Sequence, residues 1–209
     1  MASVSNVWKN FSFAVLGKES AFLLNGIEFV VEDKRTGDSK TFVYEDGLRA
    51  FMAYIHEETE TLNDTILLNG SMDTIDVQIA LQYDDGYSEN VYSYVNLVRT
   101  TDGGSHVIGY RSGLTKVVNE YARKHGILKE KDKNFEGADI REGLSAIISV
   151  SIPENLLQFE GQTKAKLGTP LARSVVENVI LEQLPRFLDL NHETSMIILG
   201  KIQKSAHAR

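Results

Sequence analysis

Hydrophobic and polar positions along the chain follow two distinct periods. The clearest is a strict alternation, in which Ile75, Val77, Ile79, Leu81 and Tyr83 are separated by Asp76, Gln78, Ala80 and Gln82. A period of two predicts a strand with one buried face and one wetter face. Residues 65–68 provide a partner strand, with Asn69, Gly70, Ser71 and Met72 as the connection. Upstream, the β-rich runs 27–31 and 41–44 flank a turn-type cluster at 33–38 and predict a hairpin. Downstream, Asp84, Asp85 and Gly86 mark a turn, and 91–98 leans towards strand. Residues 144–152 form an apolar, β-branched run ended by Pro153, the pattern of a buried strand.

The other segments show a helical period. Asp46 opens one in which Leu48, Phe51, Met52 and Ile55 fall at i, i+3, i+4 and i+7. After a break at 102–105, Val107, Tyr110, Leu114, Val117, Val118, Tyr121 and Ala122 predict a long helix with Ser105 as its cap. Thr169 and Pro170 suit the N-cap and first position of another helix, which carries Leu171, Val175, Val179, Ile180 and Leu184. Pro185 is predicted to kink or end it. A last helix starts at Thr194 and carries Ile197, Ile198 and Ile202. Asp139 and Glu142 fit a short capping box, and Gly143 opposes a long helix there. Residues 11–24 fit a short helix or a loop equally. Residues 126–138 and 158–169 read as polar loops without periodicity, and 1–10 as a tail anchored only by Trp8.

Composition narrows the class. A length of 209 residues suggests one domain, with or without an appendage. Hydrophobic residues make up 42% and charged residues 24%, which excludes a disordered chain. The net charge of −7 opposes a general basic coat for nucleic acid but leaves room for a local basic stripe. Cysteine is absent, so disulfides, thiolate metal sites and a cysteine nucleophile are excluded. No apolar run approaches the ~18 residues of a membrane helix, and the first residues lack the pattern of a signal peptide. The expectation is a soluble cytoplasmic protein.

Complete catalytic sets are missing. Gly17-Lys18 is no phosphate loop, because Ser12 stands where the first glycine belongs and Glu19 where Ser or Thr belongs. The histidines at 56, 106, 125, 192 and 207 have no metal-ligand spacing, and no metal site is expected. Adjacent Ser105 and His106 do not by themselves make a nucleophile and base. Two loops keep two readings open. Asp102-Gly103-Gly104-Ser105-His106 is a strand-to-helix connection or part of a site. Gln162-Thr163-Lys164-Ala165-Lys166, flanked by Gly161 and Gly168, is a solvated basic loop or an anion clamp offering ammonium and amide donors.

These loops carry a family resemblance. Gln82-Tyr83-Asp84-Asp85-Gly86-Tyr87-Ser88-Glu89-Asn90, Asp102-Gly103-Gly104-Ser105-His106 and Arg141-Glu142-Gly143-Leu144 resemble signature stretches of the B subunits of bacterial type IIA DNA topoisomerases. So does Phe159-Glu160-Gly161-Gln162-Thr163-Lys164-Ala165-Lys166-Leu167-Gly168, the most specific of the set. The resemblance leans to the B subunit of topoisomerase IV, with that of gyrase next, and covers residues 19–209. It is to the transducer domain alone. Leu97 departs from a common Asn, and Ser105 replaces the commoner Thr while keeping the hydroxyl.

The resemblance implies an α+β fold like domain 2 of ribosomal protein S-five, with a left-handed βαβ crossover and a mixed sheet packed against helices. It implies a tail or artificial remnant at 1–18, a transducer domain at 19–190 and the start of a C-terminal connecting helix at 191–209. Lys164 is then the catalytic lysine. Gln162 and Lys164 bind the γ-phosphate of ATP, and Thr163, Gly161 and Gly168 shape the loop. Lys166 is expected to be a solvated surface charge. ATP and magnesium would be held mainly by a neighbouring ATPase domain that this chain lacks, so the chain alone would be inactive and bind no cofactor. The implied partners are that ATPase domain, a second B subunit, the topoisomerase A subunit and a DNA segment in strand passage, with no membrane. Two other readings share the fold: a MutL-like mismatch-repair transducer and a nucleic-acid-binding module. The acidic net charge counts against the second.

Overall fold

The computed structural model describes residues 12–208. The expected tail therefore lies outside the described residues as far as Phe11. The chain divides into two units, Met1–Glu57 and Glu58–Arg209.

In the first unit the stretch that fits helix or loop equally is helix, α1 (Ser12–Leu23). The predicted hairpin follows as β1 (Phe29–Asp33) and β2 (Asp38–Phe42), with Phe29 opposite Phe42 and Asp33 opposite Asp38. Helix α2 (Gly47–Ile55) buries Leu48, Phe51 and Met52, as their spacing predicts. The Phe22 ring stacks on Tyr44 at 3.9 Å and on Phe51 at 4.8 Å, so aromatic packing joins α1 to its neighbours.

The second unit is built on a five-stranded mixed sheet of order β3-β4-β7-β5-β6. Its strands are β3 (Ile66–Met72), β4 (Ile75–Tyr83), β5 (Asn90–Val95), β6 (Val98–Arg99) and β7 (Leu144–Ser151). The β3–β4 pairing closes at Met72 opposite Ile75, so Asp73 and Thr74 form the turn and the expected connection at 69–72 is strand. Both turn residues have positive φ, +50° and +65°, which matches the twist of a two-residue hairpin better than the Asn-Gly signal further back. Asn96 and Leu97 do the same between β5 and β6, at +47° and +67°.

Strand β4 alternates only in its first half. Asp76 and Gln78 are exposed, whereas Ala80 and Gln82 are buried on the face expected to be wetter. The centre of the sheet is covered on both sides there, since Ala80 lies opposite the buried Ile147 of β7.

Strands β5 and β7 are parallel neighbours. A parallel pair needs a crossover, here β6, α3 (Ser105–Lys124) and α4 (Gly137–Arg141). The polar loop between those helices is stapled from α3. Asn119 bonds Phe135 through both backbone groups, and Arg123 reaches the carbonyls of Lys129 and Asp132. Helix α4 is capped by a box formed by Glu136 and Asp139, three residues upstream of the expected one.

Helix α5 (Pro170–Leu190) packs beside α3, and α6 (His192–Ala208) follows after Asn191. Helix α5 runs through Pro185 instead of ending there. Leu184 and Leu188 are buried on either side of it, and Tyr121 and Ser195 hydroxyls both donate to the Leu188 carbonyl. Packing carries the helix past the proline, and the two bonds satisfy a carbonyl of its last turn.

Two glycines set the distance between α3 and α5. A Cβ on Gly109 would lie 2.2 Å from the Arg173 carbonyl oxygen, and one on Gly113 3.1 Å from Ile180 Cβ. The Gly109→Ala substitution gains up to ~1 kcal/mol of helix propensity, but forcing α5 outward costs about 1–3 kcal/mol. A net fall in the thermal midpoint is expected, at about 2–4 °C per kcal/mol. An unchanged or raised midpoint would contradict this backbone approach.

Candidate functional site

The four sequence motifs meet in space as two pairs. In the first, 102–106 holds 159–168. The segment expected to be an irregular loop contains two strands, β8 (Phe159–Glu160) and β9 (Lys166–Leu167), with Glu160 opposite Lys166 and Phe159 opposite Leu167. Strands of two residues are too short to leave a period in the sequence.

The base of this hairpin is fastened to the 102–104 turn. The Asp102 N–H donates to the Ala165 carbonyl at 2.9 Å, and the Leu167 N–H to that of Gly103 at 3.0 Å. Gly104 bridges to Leu167 so closely that a Cβ would lie 2.3 Å from the Leu167 carbonyl oxygen. Its φ of +134° also excludes ordinary side chains.

Ser105 is not the cap of α3. Gly104 occupies the N-cap position, and the Ser105 hydroxyl donates to the Thr169 carbonyl at 2.6 Å. Thr169 occupies the N-cap position of α5, yet its hydroxyl points elsewhere too. It accepts from the Gln158 N–H at 2.9 Å and donates to the Leu156 carbonyl at 3.0 Å.

Gln162, Thr163 and Lys164 form the exposed tip. Gly161 has a φ of +83°, and Lys164 itself sits at +55°, a region where non-glycine residues are uncommon. The Lys164 ammonium lies 5.9 Å from the Phe159 ring centroid, at the outer limit of a cation–π contact. Gly168 has no positive φ; its place is close to Glu160, whose Cγ would lie 3.4 Å from a Cβ there. Lys166 is not a free surface charge. It pairs with Glu160 across the hairpin at 2.8 Å, and that bond holds its pKa above the usual lysine value.

Beneath the turn, His106 is wholly buried. Its Nε2 meets the Thr100 hydroxyl at 3.0 Å, and Thr100 in turn meets the Ser93 hydroxyl of β5 at 2.6 Å.

The second pair joins 82–90 to 141–144. The Asp84 N–H donates to the Gly143 carbonyl at 2.9 Å, and Glu89 pairs with Arg141 at 3.2 Å and Arg111 at 2.9 Å. Lys201 of α6 is buried against this loop, donating to the Gly86 carbonyl at 2.8 Å. Alongside, the outer face of α3 lines an open groove of about 690 Å³ that includes Arg111, Lys116, Arg123 and Arg141. Of the sequence motifs, the one at 141–144 contributes to it through Arg141. The remaining signal is the four-residue spacing of Arg111, Thr115, Asn119 and Arg123 along α3. Among the described residues, no three His, Asp or Glu side chains form a metal-binding group, and no helix is long and apolar enough to cross a membrane.

The family model for DNA gyrase B matches residues 47–209. The chain belongs to the gyrase B family. Among relatives of this gyrase B family chain, the DNA topoisomerase 4 B subunit of Enterococcus faecalis is 53% identical over 96% of the chain and 30% of the relative. Its counterpart in Bacillus subtilis is 53% identical over 92% of the chain and 29% of the relative. The chain thus spans under a third of the length of these curated relatives.

Solved gyrase B family structures agree in fold. The 43K ATPase domain of Thermus thermophilus gyrase B, in complex with an aminocoumarin, superposes with a TM-score of 0.84 at 29% identity, covering 99% of this chain and 54% of that one. The topoisomerase IV ATP-binding domain of Francisella tularensis, in complex with a small-molecule inhibitor, gives a TM-score of 0.78 at 23% identity over 100% of this chain and 55% of that one. The expected α+β class with a mixed sheet against helices is therefore observed.

Burial pushes the His106 imidazole from its ordinary 6.5 down to about 4. Between these values the folded state binds fewer protons than the unfolded one. The stabilising contribution is complete above pH 6.5 and is lost as pH falls towards 4, an effect of ~3 kcal/mol. Urea unfolding at several pH values should show a steeper loss of stability below pH 6.5 in the wild type than in His106→Gln. Parallel curves would contradict it.

Proposed function

We propose that this chain is the transducer domain of a type IIA topoisomerase B subunit, of the topoisomerase IV kind. It would sense the γ-phosphate of ATP bound in a neighbouring ATPase domain and couple hydrolysis and dimer closure to DNA strand passage. The observation that carries the reading is the tip of the β8–β9 hairpin. There an ammonium and a neutral amide, Lys164 and Gln162, stand exposed on a rigidly based loop. That donor set fits a terminal phosphate: Lys164 offsets the charge that develops on it, and Gln162 orients it. Thr163, Gly161 and Gly168 give the loop its shape.

ATP and magnesium would be held mainly by the ATPase domain. The chain by itself is then catalytically inactive, and its parent is a cytoplasmic isomerase. A second B subunit and the A subunit are its protein partners. A DNA segment in strand passage would be its nucleic-acid partner.

The test is steady-state ATP hydrolysis, with nucleotide binding measured alongside, in the B subunit containing this chain. Lys164→Ala should lower kcat about 10²–10³-fold, with ATP affinity changing far less because the adenine and ribose contacts lie in the other domain. Gln162→Ala should give a milder form of the same pattern, since it removes a neutral donor. Lys166→Ala should change little. Full hydrolysis by Lys164→Ala would end the sensor reading, and equal damage from Lys166→Ala would exchange the roles of the two lysines.

A further inference from the structure

The tip that carries Gln162 and Lys164 makes few contacts of its own, so its position must be set at its base. Most of that base is backbone pairing, which fixes the hairpin against residues 102–104 and reaches α3 only at its N-cap, Gly104. Two side-chain hydroxyls complete the attachment. Thr169 gathers both sides of the hairpin, bonding Leu156 and Gln158 on the incoming side while its own backbone lies on the outgoing side. Ser105, the first residue of α3, then binds the Thr169 carbonyl at 2.6 Å. A serine in this place would ordinarily serve its own helix; here its hydroxyl reaches across to the residue before α5. Gly104 makes the reach possible, because any Cβ there would push Leu167 away.

We propose that Ser105 is a positioning residue for Lys164: its bond to the Thr169 carbonyl makes the hairpin and the first turn of α3 one rigid piece. This rests on the reading that Gln162 and Lys164 engage the terminal phosphate. The consequence is directional. Displacement of the tip by a phosphate is passed to α3 at its N-terminus. From there the neighbouring His106–Thr100–Ser93 chain leads into β5, which lies between β7 and the edge strand β6. Ser105 touches no substrate, and it acts only through the placement of the hairpin.

The experiment uses the B subunit containing this chain and compares Ser105→Ala, Ser105→Thr, Lys164→Ala and the Ser105→Ala/Lys164→Ala double variant. Ser105→Ala should lower kcat for ATP about tenfold with KM unchanged, less than the ~10²-fold that an ångström of misplacement costs. Ser105→Thr, which keeps the hydroxyl, should restore it. The double variant should be no slower than Lys164→Ala, because the serine matters only through the lysine. Hydrogen exchange over residues 156–170 should rise in Ser105→Ala and not in Ser105→Thr. Wild-type kcat in Ser105→Ala beside an inactive Lys164→Ala would overturn the proposal while leaving the sensor reading intact. So would a further loss in the double variant, failure of Ser105→Thr to rescue, or unchanged hydrogen exchange. Full activity in Lys164→Ala would instead overturn the sensor reading, and with it the role given to Ser105.

Discussion

Close approach of backbone to backbone is the constraint on which the larger unit depends. At Gly109 a carbonyl of α5 occupies the space of a missing side chain, and at Gly104 a β9 residue does the same. Both glycines lie on or beside the first turns of α3. That end of the helix is therefore fixed against α5 on one side and against the 159–168 hairpin on another. Apolar burial supplies most of the stabilisation, but it is not directional. The glycine contacts decide where the helix sits, and so where the exposed lysine at the hairpin tip can point.

This constraint explains why the sequence motifs form pairs. The 102–106 turn and the 159–168 hairpin are far apart in sequence, yet each supplies the bonds that the other lacks. The same is true of 82–90 and 141–144, joined by the Asp84–Gly143 bond and the shared Glu89 ion pairs. One pair presents donors to solvent, and the other fastens a largely acidic turn to α3 through the Glu89–Arg111 ion pair. Both are attached to that helix, which lies within the crossover between the two parallel strands.

Much of this is legible in the sequence where periodicity is long. Helix α3, the apolar face of α2 and the first half of β4 follow their patterns because each buries one face against a single layer. Legibility fails where tertiary contacts override local signals. Asn69-Gly70 looks like a turn, yet both residues lie in β3, and Asp73 and Thr74 make the turn instead. Pro185 looks like a stop, yet burial on both sides of it carries α5 onward. The hydroxyls of Ser105 and Thr169 look like caps because capping is local and can be read from neighbours. Their actual partners lie 64 residues away in one case and 11 and 13 in the other, at distances no local pattern encodes. The tip residues Gln162 and Lys164 are identified by resemblance; their exposure on a clamped hairpin is visible only in three dimensions.

The burial of Lys201 has a separate consequence. Its side chain is 8% exposed, and its ammonium rests on the Gly86 carbonyl at 2.8 Å, with Glu142 further off at 3.6 Å. A charge held mainly by carbonyl dipoles, out of solvent, is poorly reached by counterions. Exposed pairs such as Lys124–Asp189 weaken as ionic strength rises. The joint between α6 and the 84–90 loop does not share that sensitivity. Salt thus loosens the periphery of this unit while leaving its last helix moored, so a force applied along α6 reaches the loop at any physiological ionic strength.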